Sequence, residues 1–180
     1  IRTIPSELVD PIPFDQDTRH ANYEAEQASA LHCALLNASA IFTQFRSDFI
    51  GKCSPVHFFW GSFDLAVSRF SGRRAPLHPG GIPNLPDRVA QEAYSHEVSS
   101  CGFWPGNAML PEAAFYSYIY PALDGYKDAA VRPNEAYFHQ TLGEFILPYE
   151  SFRKAADPSA AVLAFINSTY ETVARLADWD

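Results

Sequence analysis

Two groups of residues have the types and spacings that chemistry needs, and the first is cationic. Lys52, Arg69, Arg73 and Arg74 lie close together in a chain that has only three lysines. A tight turn at Gly61-Ser62 would fold 55–70 into a hairpin and bring Lys52 and Arg69 to its open end, beside the hydroxyls of Ser54 and Ser71. Guanidinium forks bind carboxylate or phosphate through paired hydrogen bonds, so such a cluster suits an anionic small molecule. The competing arrangement pairs Arg69 with a carboxylate of the domain itself and leaves Arg73 and Arg74 in solvent. No glycine-rich strand-to-helix phosphate loop accompanies the cluster.

The second group is His57 with Asp64, joined by His96 and Glu97. A histidine held by a carboxylate on the neighbouring strand has a fixed tautomer and a favoured imidazolium, which is what acid–base catalysis requires. The same imidazoles could ligate a metal with Asp64 or Glu97. His96 and Glu97, however, are adjacent on a strand and project to opposite faces unless a bulge intervenes. A buried histidine satisfied by a sheet neighbour is the commoner arrangement, and no metal or cofactor is assigned. Asp15, Asp17 and His20 form a third set, in which capping of a turn competes with metal ligation. Trp60 and Trp104, with the row Tyr116, Tyr118 and Tyr120, form a fourth: they would line a pocket for a planar or sugar-like ligand, or fill a core or interface.

Several chemistries are excluded. Cys33, Cys53 and Cys101 are odd in number and widely spaced, so they encode neither a disulfide framework nor a cysteine-rich zinc site. Cys33 is expected in the core and the other two nearer the surface, in a reducing cytoplasm. GxSxG, HExxH, Walker and GxGxxG motifs are absent from the sequence. With 13 basic against 21 acidic residues and a formal charge of −8, neither nucleic acid nor an anionic membrane is expected as a partner. The apolar run from Val56 to Trp60 is far shorter than the ~20 residues that span a bilayer.

The elements that position these residues follow from periodicity. A chain of 180 residues, 47% hydrophobic, can bury one core. Pro5, Pro11 and Pro13 make residues 1–21 an extended arm or linker, and 22–180 are expected to form a single domain. Asn22 is the expected N-cap of a long amphipathic helix, with Glu24 and Glu26 in its first turn, a stripe of Leu31, Leu35, Ala38, Phe42, Phe45 and Phe49, and an end before Gly51. In the hairpin Trp60 faces Phe63, Phe58 faces Leu65, Val56 faces Val67 and His57 lies across from Ala66. Extrapolated outward, Ser54 meets Arg69 and Lys52 meets Ser71. Residues 71–85 read as a surface loop, 93–103 and 113–120 as strands, 134–142 as a short helix and 144–148 as a last strand. Asp157 and Pro158 open a second long helix with a stripe of Leu163, Ile166, Tyr170, Val173 and Ala177. Strands between two long helices, without βαβ alternation, give an α+β fold: a mostly antiparallel sheet packed with two amphipathic helices.

The strings GKCSPVHFFWGSFDLAVSRFSGRR (51–74) and AYSHEVSSCGFWPG (93–106), with DPIPFDQDTRHANY (10–23) and LGEFILPYESFR (142–153), resemble an uncharacterised bacterial domain-of-unknown-function family over nearly the whole chain. The resemblance implies architecture and a longer N-terminus with a β-rich half before DPIPF. That agrees with a start at Ile1 inside a longer protein, and it carries over no activity. Two readings follow: a domain that binds an anionic small molecule, with His57 and a carboxylate as acid and base, or a structural domain that packs against the preceding segment or another subunit. No oligomeric state is specified.

Overall fold

The computed structural model describes residues 12–13, 15–83, 85–107 and 109–179. Among these, six antiparallel strands form one sheet: β1 (His57–Phe59), β2 (Asp64–Arg74), β3 (His96–Trp104), β4 (Ala114–Tyr120), β5 (Tyr137–His139) and β6 (Glu144–Pro148), in the order β1-β2-β3-β4-β6-β5. Helices α1 (Ala25–Ser47) and α4 (Pro158–Ala177) pack on one face, and the short α2 (Asp87–Ala93) and α3 (Tyr149–Arg153), with a 3-10 turn at Tyr126–Asp128, complete the described helices. This is the expected α+β architecture. The arm expected over 1–21 lies mostly outside the described residues.

Alternation along each strand sorts the side chains. Leu65 and Val67 on β2, Cys101 and Phe103 on β3, Phe115 on β4, and Phe145 and Leu147 on β6 meet Ala38, Ile41, Phe42 and Phe45 of α1 and Val162, Phe165, Ile166 and Val173 of α4. Phe42 and Phe165 are wholly excluded from solvent. Asp157 caps α4 as its position before Pro158 suggests, accepting the Ala160 N–H at 3.0 Å. α1 begins later than expected: Glu24 occupies the N-cap without a side-chain cap, and Asn22 lies outside the helix. Leu31 and Leu35 are only partly buried, and Phe49, beyond the helix end, packs edge-on against Tyr170. Cys33 is exposed and Cys101 buried, the reverse of expectation. The reasons are geometric: two helical steps from Leu31 turn Cys33 about 200° away from the stripe, whereas Cys101 shares strand parity with Phe103.

The hairpin register is as expected for His57↔Ala66 and Phe58↔Leu65, but the turn is wider. The ladder stops at Phe59↔Asp64, and residues 60–63 form a loop closed by the Phe63 N–H donating to the Phe59 carbonyl at 2.8 Å. Phe63 adopts φ 61° there while its ring packs edge-on against Phe58 at 5.0 Å, and Trp60 is left 83% exposed rather than paired with it. Pro55 cannot donate to the ladder, and beyond it the register shifts by one: Cys53, not Ser54, bridges Arg69, and Lys52 lies beside Phe70 rather than Ser71.

Two further segments differ from expectation. The region read as loop to residue 85 begins with the end of β2, and α2 follows at Pro86. Its seven residues are too few to show a periodic stripe. Residues 134–142 form no helix; β5 pairs with β6 instead, through Phe138↔Phe145. The 139–144 connection closes at Gly143, φ 75°, whose N–H donates to the His139 carbonyl at 2.8 Å. Burial of Phe138 against Phe145 and Tyr126 outweighs the helical reading of this stretch. No helix among the described residues is long and apolar enough to cross a membrane.

Asp157→Ala removes the cap of α4 and should lower stability by about 1 kcal/mol in chemical denaturation; an unchanged midpoint would show that the cap contributes nothing.

Candidate functional site

With α1 and α4 on one side, the remaining strand positions face a cavity of ≈ 720 Å³ on the other. Its floor is Asp64, Ala66 and Ser68 of β2, Val98 and Ser100 of β3, Tyr116 and Tyr118 of β4 and Glu144 of β6. The β1–β2 loop supplies a wall with Trp60 and Ser62, and the segment leading through α2 supplies another with Ile82, Leu85 and Val89. Small side chains along β2 and β3, flanked by aromatic ones, make the surface concave.

Gly102 is central to the floor. It stands opposite Ala66 on one side and Tyr116 on the other. A Cβ at this position would collide with the Tyr116 phenol and lie 2.6 Å from the Leu65 carbonyl oxygen. The bare backbone lets Tyr116 lie across β3 and donate its hydroxyl to Asp64 Oδ2 on β2. Ser62 donates to Asp64 Oδ1. Asp64 is thus a buried carboxylate, 6% exposed, held by two neutral hydroxyls. Burial, and then the negative charge of Asp64, pushes the Tyr116 phenol well above its usual value, so it remains a donor. Alongside, Tyr94 donates to Tyr118 at 3.1 Å, and the Ser68 and Ser100 hydroxyls lie 2.9 Å apart.

Glu144 begins β6, where alternation sends Phe145 and Leu147 to the core and Glu144 to the cavity. Among the described residues none forms a hydrogen bond or ion pair with its side chain. Burial, reinforced by the charge of Asp64, pushes this carboxyl up to about 7. Among the described residues Asp64 and Glu144 are the only acidic ones in the lining, and none is a lysine or arginine.

The residues singled out from sequence are not all brought together. His57, Ser54, Asp64, Trp60 and Trp104 line the cavity, but the expected His57–Asp64 pair does not form. Asp64 sits two ladder positions farther on, opposite Phe59, and its oxygens are taken by Tyr116 and Ser62, while the His57 ring packs against Phe59 at 4.3 Å. His96 lies at the far end of β3, 3.1 Å from the Ser95 hydroxyl. Glu97 is on the opposite face, accepting from Ser71 at 2.8 Å, Arg73 Nε at 2.9 Å and Trp179 Nε1 at 3.1 Å.

The cations also diverge. Arg69 shares the parity of Leu65 and Val67 and is buried on the helix side, 3% exposed. Its guanidinium lies 3.4 Å from the Phe45 ring centroid and 4.4 Å from that of Tyr170, and Nη2 donates to the Phe45 carbonyl. Nε has no partner, and burial lowers the pKa. Among the described residues no carboxylate forms an ion pair with Arg69, and aromatic ring faces surround its charge. Arg73 closes the C-terminus of α4 by donating to the Ala177 and Asp178 carbonyls. Lys52 stands over Phe70 at 5.7 Å. Asp17 accepts from the Arg19 and His20 backbone and from the His20 ring at 2.6 Å, a local cap that lowers its pKa. Among the described residues no three histidine, cysteine or acidic side chains are placed to hold a metal.

The sequence reading missed Glu144 and the role of Gly102. The alternation in EFILP already places Glu144 opposite its apolar neighbours; the clearance at Gly102 has no sequence signal.

Fold and site together define an α+β domain with helices on one face of an antiparallel sheet and an acidic, aromatic-walled cavity on the other. The chain belongs to a family of unknown function (DUF5996), which it matches over residues 1–180, in agreement with the resemblance in its motifs. Neither a curated protein nor a solved structure matches it.

Gly102→Ala should displace Tyr116 and cost roughly 1–3 kcal/mol by overpacking; wild-type stability in denaturant would refute the crossing of β3 as a constraint. For Glu144 the sign follows from its raised pKa: the folded state binds the proton more tightly than the unfolded chain. Its contribution is therefore present below the ordinary value of 4.5 and lost as pH rises to about 7. Glu144→Gln should match wild type near pH 4.5 and exceed it by up to roughly 3 kcal/mol above pH 7. Parallel stability–pH profiles of the two proteins would contradict this.

Proposed function

We propose that this domain binds a small, mostly apolar molecule on the open face of its sheet. The observation that carries the reading is the cavity itself: ≈ 720 Å³, with aromatic and aliphatic walls and a few polar groups gathered on its floor. Ligand sites are typically of this size and composition. The hydroxyls of Ser68, Ser100 and Tyr118 and the acids Asp64 and Glu144 would orient the bound molecule. The anionic ligand suggested by Lys52, Arg69 and Arg73 loses its basis, because those side chains do not converge and the lining, among the described residues, carries two carboxylates and no lysine or arginine. No acid–base role is proposed for His57, whose imidazole meets Phe59 rather than a carboxylate. The free thiols of Cys33, Cys53 and Cys101 support a reducing compartment such as the cytoplasm.

The second reading, a structural or interaction domain, is favoured by one feature. Phe59, Trp60 and Phe63 are exposed together at the tip of the β1–β2 hairpin, where they would suit a protein partner.

Titration with N-phenyl-1-naphthylamine, a neutral dye that fluoresces in apolar sites, separates the two. Saturable one-to-one binding should be seen with wild type and weakened at least tenfold by Ser68→Phe, which fills the floor, with the far-ultraviolet circular dichroism unchanged. Absence of saturable binding to the folded wild-type protein would overturn the ligand reading.

A further inference from the structure

We infer that the molecule this cavity takes is an organic cation, an amine bearing an apolar or aromatic body, whose ammonium sits between Asp64 and Glu144. The inference rests on the reading of the cavity as a ligand site and names the class of ligand. Asp64 is 6% exposed, and its two hydrogen-bond donors, Tyr116 and Ser62, are neutral. A buried carboxylate without a cation is costly, and removing it from water is offset only when an opposite charge is brought close. Among the described residues no lysine or arginine supplies one, and His139, paired with Glu144 across β5 and β6, accepts the Leu142 N–H through Nδ1 at 3.2 Å. Lys52 is held over the Phe70 ring at the cavity margin, and His57, on β1, packs against Phe59.

Glu144 supplies a second acid on the same floor, with no hydrogen-bond or ion-pair partner among the described residues. The remaining walls suit a cation as well. Trp60, Trp104, Tyr116 and Tyr118 present aromatic rings to the cavity, and ring faces attract ammonium groups. Arg69 shows the same chemistry within this chain, its guanidinium lying over Phe45 and Tyr170. An anionic ligand would add to the negative charge of Asp64, and a neutral one would leave it uncompensated. A bound ammonium also favours the ionised form of Glu144, whose carboxyl is held at about 7, so binding near neutral pH should release a proton.

The test is displacement of N-phenyl-1-naphthylamine at pH 8 by three molecules of one shape: 2-phenylethylamine, 2-phenylethanol and phenylacetate. The amine should compete at least tenfold better than the alcohol, and phenylacetate should compete worst. Glu144→Gln and Asp64→Asn should each reduce the ratio by which the amine outcompetes the alcohol. Glu144→Gln alone suffices if Asp64→Asn disturbs the fold. Calorimetry in buffers of different ionisation enthalpy at pH 7 should show proton release with wild type and none with Glu144→Gln. If the dye binds but the alcohol or phenylacetate competes as well as the amine, the cation inference is overturned and the cavity reading stands. If the dye itself does not bind, the cavity reading fails and the inference falls with it.

Discussion

Side chains alternate along a β-strand, so covering one face of a sheet commits the whole second face in the same step. Here α1 and α4 cover the face that carries Leu65, Val67, Cys101, Phe103, Phe115, Phe145 and Leu147. The positions between them have to face the other way, whatever their chemistry. That is how Asp64, Ser68, Ser100, Tyr116, Tyr118 and Glu144 come to share one surface, although they come from four strands and span eighty residues of chain. A one-residue slip would exchange the two sets, and on β2 or β6 it would bury Asp64 or Glu144 among phenylalanines.

The same alternation separates the two buried charges of β2. Asp64 and Arg69 are on one strand, five positions apart, and therefore on opposite faces. They cannot neutralise each other, and each is stabilised by its own surroundings. Arg69 is enclosed by the rings of Phe45 and Tyr170 and gives one hydrogen bond to the end of α1. Asp64 is met by hydroxyls alone, in a cavity rather than a core. The helix-side charge therefore lies among ring faces, while among the described residues the cavity-side charge meets no cation. This asymmetry separates the two charges of β2, although both are almost fully buried.

Much of the fold is legible in the residues. The α4 start, the hairpin register and the last strand follow from local signals: a cap followed by proline, period-2 patterning, and a strand stopped by Pro148. The register is also enough to place Arg69, because the apolar face of Leu65 and Val67 includes it by parity. The cationic cluster read from spacing alone neglected that parity and grouped side chains that point apart. Less legible were α2, too short for a stripe, and β5, whose Phe138 is drawn into the sheet by Phe145 and Tyr126 rather than by any local preference.

By itself, then, the sequence determined the fold class, the net acidity, and which residues of each strand share a face, because propensity and alternation act over a few neighbours. Only the tertiary structure decided which of those faces became a cavity and which acids met there. That outcome depends on contacts between residues far apart in the chain, such as Tyr116 crossing the bare backbone of Gly102 to reach Asp64. The clearance for that crossing comes from strand packing, and no local pattern encodes it.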